Sequence, residues 1–402
     1  MSDIAGSVLV LNAGSSSLKY QLVNPETEEV FAEGIAERIN EIEGSITHRH
    51  NGAETVEVRA LPSHLAAIEG ILGLFAENDI DLTTAGLAAV GHRVVHGGRT
   101  FFEPTLITPE VIAEIKRIST LAPLHNPANL IGIEAVSELL SGVPAVAVFD
   151  TAFFHQLPEA AATYAIDRGV AKLHAIRRYG FHGTSHRYIS QSVPGLLGKD
   201  PAEVNQIVLH LGNGASASAV SGGRPIDTSM GMTPLEGLVM GTRSGDIDPG
   251  IVLHLNRVVK LGVDQIDTLL NKQSGLKGLC GDNDFRAITE RMEAGDASAK
   301  LAYDVYVHRL RSYIGSYMIE LGRVDAITFT AGVGENAAGV RADALANLEN
   351  YGIIIDAERN TLRSKEPRVI SVDNSAVTVL VVPTNEELAI AQQAAHVAAE
   401  VD

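Results

Sequence analysis

The sequence contains a single cysteine, Cys280, and this scarcity excludes several kinds of site. One thiol cannot form an intrachain disulfide, and it cannot supply a cysteine-based zinc site. Basic residues are also few, with 31 Lys and Arg against 49 Asp and Glu and a formal net charge of -18. Because affinity for phosphate backbones comes from clustered cations, we expect no sequence-independent binding of nucleic acid and no attraction to anionic membranes.

Long apolar runs are missing as well. The first apolar run, residues 8–11, is too short for a signal peptide, and no run approaches the roughly 20 residues needed to cross a bilayer. We therefore expect a soluble, cytoplasmic protein. The 402 residues correspond to about two or three average domains, and the composition, 45% hydrophobic and 20% charged, is typical of a globular protein.

Short strand-like runs alternate with helical stretches along the chain, which is typical of an α/β fold. The strand-like runs cover residues 7–11, 87–90, 143–149, 206–211, 326–330 and 377–382. Helical patterns cover residues 63–77, 108–121, 297–321 and 386–401. The polar stretch 24–52 contains His48-Arg49-His50, which we interpret as a solvated turn and not as a metal site.

Two segments share one pattern: residues 7–23 (SVLVLNAGSSSLKYQLV) and residues 206–220 (QIVLHLGNGASASAV). Each has an apolar strand, a glycine turn with small polar residues and a second alternating strand. This pattern predicts a hairpin whose exposed backbone N–H groups suit a phosphate. A related strand and turn covers residues 328–336 (TFTAGVGEN). An ordinary tight hairpin would explain one such turn, but the repetition favours a duplicated domain with nucleotide bound between the copies.

Other nucleotide and metal motifs fit the sequence less well. The P-loop pattern fails because the glycine and lysine of residues 198–200 (GKD) are followed by Asp instead of Ser or Thr. Residues 332–337 match the G-x-G-x-x-A dinucleotide fingerprint and Asp356 follows at a suitable distance, but too little chain remains for a doubly wound sheet. Residues 182–186 (HGTSH) have the histidine spacing of a zinc helix, but glycine replaces the general-base glutamate.

In a chain this acidic, a site for anionic substrates must be built from local cations. Four short runs place Arg or His beside Gly or Pro, which predicts that these side chains lie on loops and not on regular faces. The runs are 91–98 (GHRVVHGG), 123–127 (PLHNP), 179–185 (YGFHGTS) and 240–245 (MGTRSG). Packing, capping or surface pairing would explain any one of these side chains, but four such runs favour a functional site.

Two carboxylates occupy positions where α/β sheets bind ligands. Asp150 follows the apolar run 143–149, at the carboxyl end of a strand of the buried type. Thr384 and Glu387 form a possible capping box, which places Glu386 in the first turn of the C-terminal helix. Glu386 either compensates the helix dipole or acts as a magnesium-linked carboxylate facing nucleotide phosphates, and the spacing leaves both interpretations open.

Together these segments resemble the acetate kinase family. A dozen motifs occur in family order between residues 11 and 391: LNAGSSSLKYQL, GHRVVHGG, LAPLHNP, VFDTAF, YGFHGTSH, HLGNG, TPLEG, MGTR, IDP, NDFR, TAGVGEN and PTNEELAIA. The resemblance is weak over 24–60, 193–206 and 357–376, which we interpret as loops and surface elements.

The resemblance implies the α/β fold of the acetate and sugar kinase, heat-shock 70 and actin superfamily. In that fold, duplicated ribonuclease H-like domains hold ATP in the interdomain cleft. The first domain would comprise residues 1–152 plus the C-terminal helix 388–402, and the second would comprise residues 153–387. The family is typically homodimeric, so we expect a homodimer.

The resemblance also implies roles for the residues at matching positions. Asn12, Asp150 and Glu386 would lie around Mg²⁺, with Mn²⁺ as an alternative ion, and Arg93 would orient the substrate carboxylate. His182 and Arg243 would stabilise the transferring phosphoryl group, with His125 assisting. The pocket around the substrate methyl group would be formed by Val95, Leu124, Phe181 and Pro234. The residues expected to contact ATP are Lys19, His210, Leu211, Gly212, Asn213, Gly214, Asp284, Phe285, Arg286, Gly332, Val333, Gly334, Glu335 and Asn336.

The implied reaction is direct in-line transfer of the ATP γ-phosphate to acetate, giving acetyl phosphate and ADP. A small carboxylic acid with a pKa near that of Glu, about 4.3, is ionised at neutral pH and needs no general base. Asp150 is therefore expected to organise the metal or a water, although an acid–base role is the alternative.

Three other activities remain open. One methylene in an apolar pocket is worth only about 1–3 kcal/mol, so propionate is an alternative substrate. A sugar or polyol kinase of the same fold would need Asp150 as a base for a neutral hydroxyl. A chaperone- or actin-like ATPase switch would hydrolyse ATP slowly and would be indifferent to small acids.

Overall fold

The structure is a computed structural model, and it describes residues 4–400. These residues form two compact units. One unit contains the chain up to His155 and again from Asn385 onward, and the other contains Gln156–Thr384. The chain therefore leaves the first unit once and returns to it with the C-terminal helix. None of the helices within residues 4–400 is long and apolar enough to cross a membrane.

The chain alternates strands and helices, as expected for an α/β fold. The strands are β1 Val8–Ala13, β2 Ser17–Val23, β3 Val30–Glu37, β4 Gly44–His50, β5 Ala53–Arg59, β6 Ala89–Val94, β7 Thr105–Leu106, β8 Ala145–Phe149, β9 Asn205–Leu211, β10 Ala215–Ser221, β11 Arg224–Thr228, β12 Ala326–Thr330, β13 Arg368–Val369 and β14 Thr378–Val381. The helices are α1 His64–Glu77, α2 Pro109–Ile118, α3 Asn126–Leu139, α4 Glu159–Ala162, α5 Arg168–Leu173, α6 Gly183–Leu197, α7 Pro249–Arg257, α8 Val263–Lys272, α9 Gly275–Cys280, α10 Phe285–Glu293, α11 Ala297–Leu321, α12 Ala331–Asn336, α13 Ala338–Ala344, α14 Ala357–Thr361 and α15 Glu386–Ala399.

Each unit contains one mixed sheet, and the two sheets repeat one strand order. The first sheet has the order β5-β4-β3-β2-β1-β6-β8-β7, and the second has the order β11-β10-β9-β12-β14-β13. In the first sheet, the antiparallel hairpin β1–β2 lies beside the parallel strands β6 and β8. In the second, the antiparallel hairpin β9–β10 lies beside the parallel strands β12 and β14. This repeat confirms the duplicated α/β fold expected from the two similar sequence segments.

The strand β1 is apolar at every position from Val8 to Leu11 because both of its faces are buried. Leu9 and Leu11 belong to a core that includes residues of α1 and α3, whereas Val8 and Val10 belong to a core that includes residues of α15. A close approach of α15 requires glycine at position 91 of β6. A Cβ atom there would lie 2.8 Å from the Ile390 side chain.

All six strand-like runs and all four helical stretches are found in the structure, with ends shifted by a few residues. The last helix ends at Ala399, and Val401 lies outside the described residues. The interpretation of 24–60 as loops was wrong, because β3, β4 and β5 occupy most of that segment, while β5 is an exposed edge strand and thus a surface element as expected.

Local backbone geometry corrects four further predictions. His48-Arg49-His50 is not a solvated turn, because it ends β4 and His48 is 1% exposed, with its Nδ1 2.7 Å from the Tyr20 hydroxyl. Arg93 lies within β6 and not on a loop. The segment after β12 forms the helix α12 and not a turn. Asn385, not Thr384, is the N-cap of α15 and accepts from the Leu388 N–H.

A buried histidine in β6 makes the stability of the first unit sensitive to acid. His92 is 3% exposed, and its Nε2 has no hydrogen-bond partner within residues 4–400. Burial lowers the pKa of His92 to about 3. Below about pH 6.5 the unfolded chain binds this proton and the folded chain does not, so this histidine opposes folding increasingly as pH falls toward 3.

We predict that His92→Leu reduces the loss of stability on acidification. From pH 7 to pH 5 the unfolding free energy of the wild type should fall more steeply than that of His92→Leu, by up to about 1.4 kcal/mol per pH unit. Urea titrations at the two pH values measure this difference, and His174→Leu at an exposed position is the control. Equal slopes for the wild type and His92→Leu would contradict the prediction.

Candidate functional site

The carboxyl ends of β1, β6 and β8 bring together predicted site residues of the first unit. Leu11 pairs with His92 in the sheet register, and Val94 pairs with Phe149. This register places the following residues at one edge of the sheet, and they are called the first-unit cluster: Asn12, Lys19, Arg93, Asp150 and Glu386. Lys19 is exposed on β2, directly across from Asn12 in the antiparallel register.

Arg93 and Asp150 form a buried bidentate ion pair. Arg93 Nε donates to Asp150 Oδ1 at 2.8 Å, and Nη2 donates to Oδ2 at 2.7 Å. The side chains are 19% and 2% exposed. Burial by itself would lower the pKa of Arg93, but the charge and hydrogen bonds of Asp150 raise it above its ordinary value. Both oxygens of Asp150 therefore accept from one guanidinium, which fixes the relative orientation of the two side chains.

Two adjacent glutamates open α15 beside this ion pair. Burial raises the pKa of Glu386, and the negative charge of Asp150 raises it further, while Arg93 and Lys19 lower it. Burial also raises the pKa of Glu387, with a further contribution from Glu386. Together with Glu387, the first-unit cluster therefore has three carboxylates, Asp150, Glu386 and Glu387, against the two cations Lys19 and Arg93.

A divalent cation suits this excess of negative charge. No group of three His, Cys, Asp or Glu side chains forms a complete metal site within residues 4–400. Hard divalent cations such as Mg²⁺ nevertheless need only one or two carboxylates, because water and phosphate oxygens complete the shell. Asn12, Asp150 and Glu386 supply oxygen donors of this kind, and a bound cation would favour the ionised form of Glu386, whose pKa is raised by burial and by the charge of Asp150.

Three side chains that the sequence interpretation missed hold the loop after β6. Asn129 accepts from the Val95 N–H at 3.1 Å and donates to the Ala13 carbonyl at 2.7 Å. Asn126 pairs with both backbone groups of His96, and Thr151 Oγ1 accepts from the Gly97 N–H at 3.0 Å. The spacing of the two asparagines, three residues apart at the start of α3, is the signal that could have identified them.

The expected residues of the substrate pocket in the first unit lie on this loop and before α3. Val95 is half-buried, and its N–H is fixed by Asn129. Leu124 is 41% exposed, and His125 occupies the N-cap position of α3. An exposed apolar side chain beside a fixed backbone is suited to contact a small apolar group.

In the second unit, His182 lies at the start of α6 with a left-handed backbone, φ 57°. A non-glycine residue in that conformation costs on the order of 1–3 kcal/mol and is frequent at functional sites. The hydroxyl of Ser216 fixes the imidazole at 2.9 Å from Nδ1 and lies 2.7 Å from His186 Nε2. Ser218 binds the other nitrogen of His186 at 2.7 Å. The sequence interpretation missed this serine–histidine network.

Arg243 and His182 converge on Gly214, in the turn between β9 and β10. A Cβ atom at Gly214 would lie 3.3 Å from Arg243 Nη1 and 3.4 Å from His182 Nε2. Arg243 Nη1 also donates to the Pro234 carbonyl at 3.3 Å. Phe181 is fully buried and Pro234 is half-buried. The structure thus brings together the predicted phosphoryl-binding pair of the second unit beside the glycine turn.

His210, one residue before the end of β9, lies within the same group of side chains. Its Nδ1 lies 2.8 Å from Ser185 Oγ, and its ring stacks on that of His182 with centroids 4.4 Å apart. Burial and the neighbouring His210 lower the pKa of His186. His182, His210, Gly214, Ser216 and Arg243 are called the second-unit cluster.

Two of the expected ATP-contacting segments are linked through Asn283, the residue before the second of them. Asn283 Nδ2 donates to Asn213 Oδ1 at 2.9 Å, which ties residues 210–214 to residues 284–286. Asp284 caps α10 and forms an exposed ion pair with Arg286 at 2.7 Å. The side chain of Phe285 instead packs in the core against Tyr306, at 4.7 Å between ring centroids. The buried side chain of Phe285 is therefore not presented to a ligand.

The third expected ATP-contacting segment, residues 332–336, lies in α12 after the central strand β12. Ala331 has a left-handed backbone, φ 63°, and nothing lies within 4 Å of a Cβ atom built at Gly332. The fully buried Arg341 donates to the carbonyls of Gly334 and Glu335 at 2.8 and 2.9 Å. Open space on one side and a buried arginine on the other make this a fixed backbone surface.

Comparison with known proteins gives a consistent result. The model of the acetokinase family matches residues 7–392. The chain is 57% identical to an acetate kinase of Corynebacterium aurimucosum, over 98% of this chain and 97% of that protein. Its fold is similar to that of the Porphyromonas gingivalis acetate kinase, with a TM-score of 0.92, 42% identity and coverage of 98% of this chain and 100% of that chain. It is also similar to a propionate kinase of Francisella tularensis, with a TM-score of 0.91, 42% identity and coverage of 96% and 98%.

We predict that Ser216→Ala destabilises the protein by about 1–3 kcal/mol, because it removes two hydrogen bonds made by a fully buried hydroxyl. Chemical denaturation measures the change in unfolding free energy. Ser221→Ala on the same strand removes one partly buried hydrogen bond to Asn205 and should cost below about 1 kcal/mol. A loss no larger for Ser216→Ala than for Ser221→Ala would contradict the prediction.

Proposed function

The chain belongs to the acetokinase family. From this membership we propose that it transfers the γ-phosphate of ATP reversibly to acetate, giving acetyl phosphate and ADP. The observation that carries the proposal is the identity to an acetate kinase over nearly the full length of both chains. That identity favours acetate as the substrate. Propionate, the alternative, appears in the name of one structural neighbour. The protein is accordingly a phosphotransferase with a carboxyl group as acceptor.

The second-unit cluster supplies the charge that phosphoryl transfer needs. Negative charge spreads over the equatorial oxygens in the transition state, so catalysis is mainly positioning and electrostatic stabilisation. Arg243 and His182 are the donors assigned to these oxygens, with His125 of the first unit as a further donor. We assign ATP binding to Lys19 and to the backbone of residues 210–214, 284–286 and 332–336. Fixed donors of this kind need little reorganisation during the reaction.

The Arg93–Asp150 ion pair supports a mechanism without a general base. Acetate is already an anion at neutral pH, so no proton has to be removed before attack. Asp150 binds Arg93 through both oxygens, while Arg93 Nη1 makes no hydrogen bond to the rest of the described chain. We assign Nη1 to the substrate carboxylate and Asp150 to orienting Arg93 and a metal-bound water. Val95, Leu124, Phe181 and Pro234 are assigned to the methyl group.

The metal assigned to the first-unit cluster is Mg²⁺, held through Asn12, Asp150 and Glu386. When bound, Mg²⁺ would supply positive charge that offsets the negative charge of the nucleotide phosphates. Glu386 then keeps its carboxylate ionised although burial raises its pKa. We thus propose the metal interpretation of Glu386, and simple compensation of the helix dipole is the alternative.

We further propose a cytoplasmic homodimer. The helix α7 has no buried residue, although its sequence PGIVLHLNR contains four large apolar side chains. Ile251 is 43% exposed and Leu253 is 51% exposed, and Val258 directly after the helix is 64% exposed. We propose that a second copy of this chain packs against this apolar surface.

The test of the function is a hydroxylamine trap with MgATP. An acyl phosphate formed from acetate reacts with hydroxylamine to a coloured hydroxamate, and we expect colour with acetate and none with glycerol. ADP release that is unaffected by acetate would contradict the proposal and support an ATPase switch. Phosphate transfer to glycerol would instead support a polyol kinase.

Two arginine variants should separate binding from turnover. Arg93→Ala removes the donor assigned to the acid, so the KM for acetate should rise about tenfold or more. Arg243→Ala removes a transition-state donor, so kcat should fall about 100-fold with little change in KM. Steady-state kinetics measure both parameters.

Arg117→Ala is the matched control, because Arg117 also binds a carboxylate in a bidentate manner, that of Glu114, but at an exposed position. This variant should keep wild-type kinetics. If Arg93→Ala left the KM for acetate unchanged, the assignment of Arg93 to the carboxylate would be wrong.

A further inference from the structure

Glu236, in the motif TPLEG, belongs to a polar network to which the proposed mechanism assigns no part. Its Oε1 accepts from Arg178 Nη2 at 2.7 Å, and its Oε2 accepts from the Tyr164 hydroxyl. The guanidinium of Arg178 also lies over the Tyr164 ring, 5.6 Å from its centroid. The Arg178 and Glu236 side chains are 17% and 32% exposed. This ion pair is therefore largely protected from screening by solvent.

The same network holds two backbone segments together. Arg178 Nη1 donates to the carbonyls of three consecutive residues, Thr228, Ser229 and Met230, at 2.9, 3.1 and 3.3 Å. The N–H groups of residues 179 and 180 donate to the carbonyl of Gly231. A Cβ atom at Gly231 would collide with the Glu236 carboxylate and the Tyr164 hydroxyl, so only glycine allows this packing.

Both segments lead directly into residues of the proposed site. Arg178 comes three residues before Phe181 and four before His182. Glu236 comes two residues after Pro234, whose carbonyl accepts from Arg243 Nη1 at 3.3 Å. A movement of the Glu236 carboxylate would therefore shift Pro234 relative to Phe181 and would change the support of Arg243.

Arg178 and Tyr164 keep their protons near neutral pH. Burial by itself would lower the pKa of Arg178, but Glu236 raises it above the ordinary value. Burial and Glu236 raise the pKa of Tyr164, so its hydroxyl stays a donor. The Met232 N–H donates to the same hydroxyl at 2.9 Å. The Tyr164 hydroxyl thus donates to Glu236 and accepts from Met232, while Arg178 only donates, which makes the arrangement rigid.

We propose that Glu236, held by Arg178 and Tyr164, is a positioning residue that fixes Pro234 and Arg243 and thereby sets the selectivity for the length of the acid. This inference rests on the proposed function, because Pro234 is assigned to the methyl group of acetate and Arg243 to the phosphoryl group. Glu236 itself touches neither substrate in this assignment. Weakening the contacts that hold Glu236 should change acid binding and turnover but not nucleotide binding.

The experiment compares the wild type with Glu236→Gln, which keeps the shape of the side chain and removes its charge. The kcat/KM values are measured for acetate and for propionate with saturating MgATP, and the KM for ATP is measured separately. We expect kcat/KM for acetate to fall about tenfold, because small displacements of positioning groups are costly. The discrimination between the two acids should shrink about threefold, because Pro234 limits the pocket less tightly. The KM for ATP should stay within about twofold of the wild type.

Asp325→Asn is the matched control. Asp325 is also a buried carboxylate paired with a cation, Lys199 at 2.8 Å, but it lies just before β12, at the opposite end of that strand from residues 332–336. This variant should lose stability without changing the ratio of the two kcat/KM values. A similar change of ratio in Asp325→Asn would show that general destabilisation causes the effect, and it would overturn the proposal.

A second variant, Tyr164→Phe, keeps both charges and removes one hydroxyl, so it tests the network even where Glu236→Gln does not fold. It should shift the ratio in the same direction by a smaller factor. An unchanged ratio in folded Glu236→Gln or in Tyr164→Phe would overturn the positioning role while acid-dependent phosphate transfer persists. If the wild type itself forms no acyl phosphate from either acid, the proposed function fails instead, and the two failures are distinguishable.

Discussion

Loops at the carboxyl ends of parallel strands must find hydrogen-bond partners within the protein, and this constraint shapes both clusters. An unsatisfied buried backbone group costs about 1–3 kcal/mol. In the first unit, Asn126, Asn129 and Thr151 satisfy the backbone of residues 95–97. In the second, the buried hydroxyls of Ser185 and Ser216 orient three imidazole rings. The functional side chains keep their positions because these hydrogen bonds fix the adjacent backbone groups and imidazole rings.

The buried arginines of this acidic chain differ in their hydrogen-bond partners. Arg93 and Arg178 each bind a carboxylate, so their charges are balanced locally. Arg341 has no carboxylate partner among its hydrogen bonds and donates to carbonyls and to Asn360. Burial lowers the pKa of Arg341 to about 10, and the nearby positive charge of Arg368 contributes. A buried arginine without an anion is costly, and here it fixes the carbonyl end of α12.

One strand order supports two kinds of chemistry in the two units. The hairpin β1–β2 lies at an edge with carboxylates, an amide and a paired arginine, whereas the hairpin β9–β10 lies at an edge with histidines, serines and Arg243. The backbone arrangement is shared, so the difference lies in the side chains that follow the strands. This division agrees with the proposed assignment of the acid and metal to one set and of phosphate to the other.

Much of the fold and of the candidate site could be predicted from the sequence. Apolar runs predicted six strands, because burial on both faces requires apolar residues at successive positions. Asp150 could be placed at a strand end for the same reason. The strands β3–β5 were missed because their polar, alternating sequences are equally typical of loops. The true N-cap Asn385 was missed because several residues near a helix start can accept the same N–H.

The sequence by itself determined the alternation of strands and helices, the repeated hairpin and the kinds of side chain available for a phosphate and an acid. Local periodicity and turn chemistry are encoded by neighbouring residues, so they can be recognised along the chain. Only the tertiary structure decided that Arg93 binds Asp150, that Ser216 lies between two histidines and that Arg178 binds Glu236. Each of these contacts joins residues far apart in sequence, and their geometry depends on how the strands and loops pack.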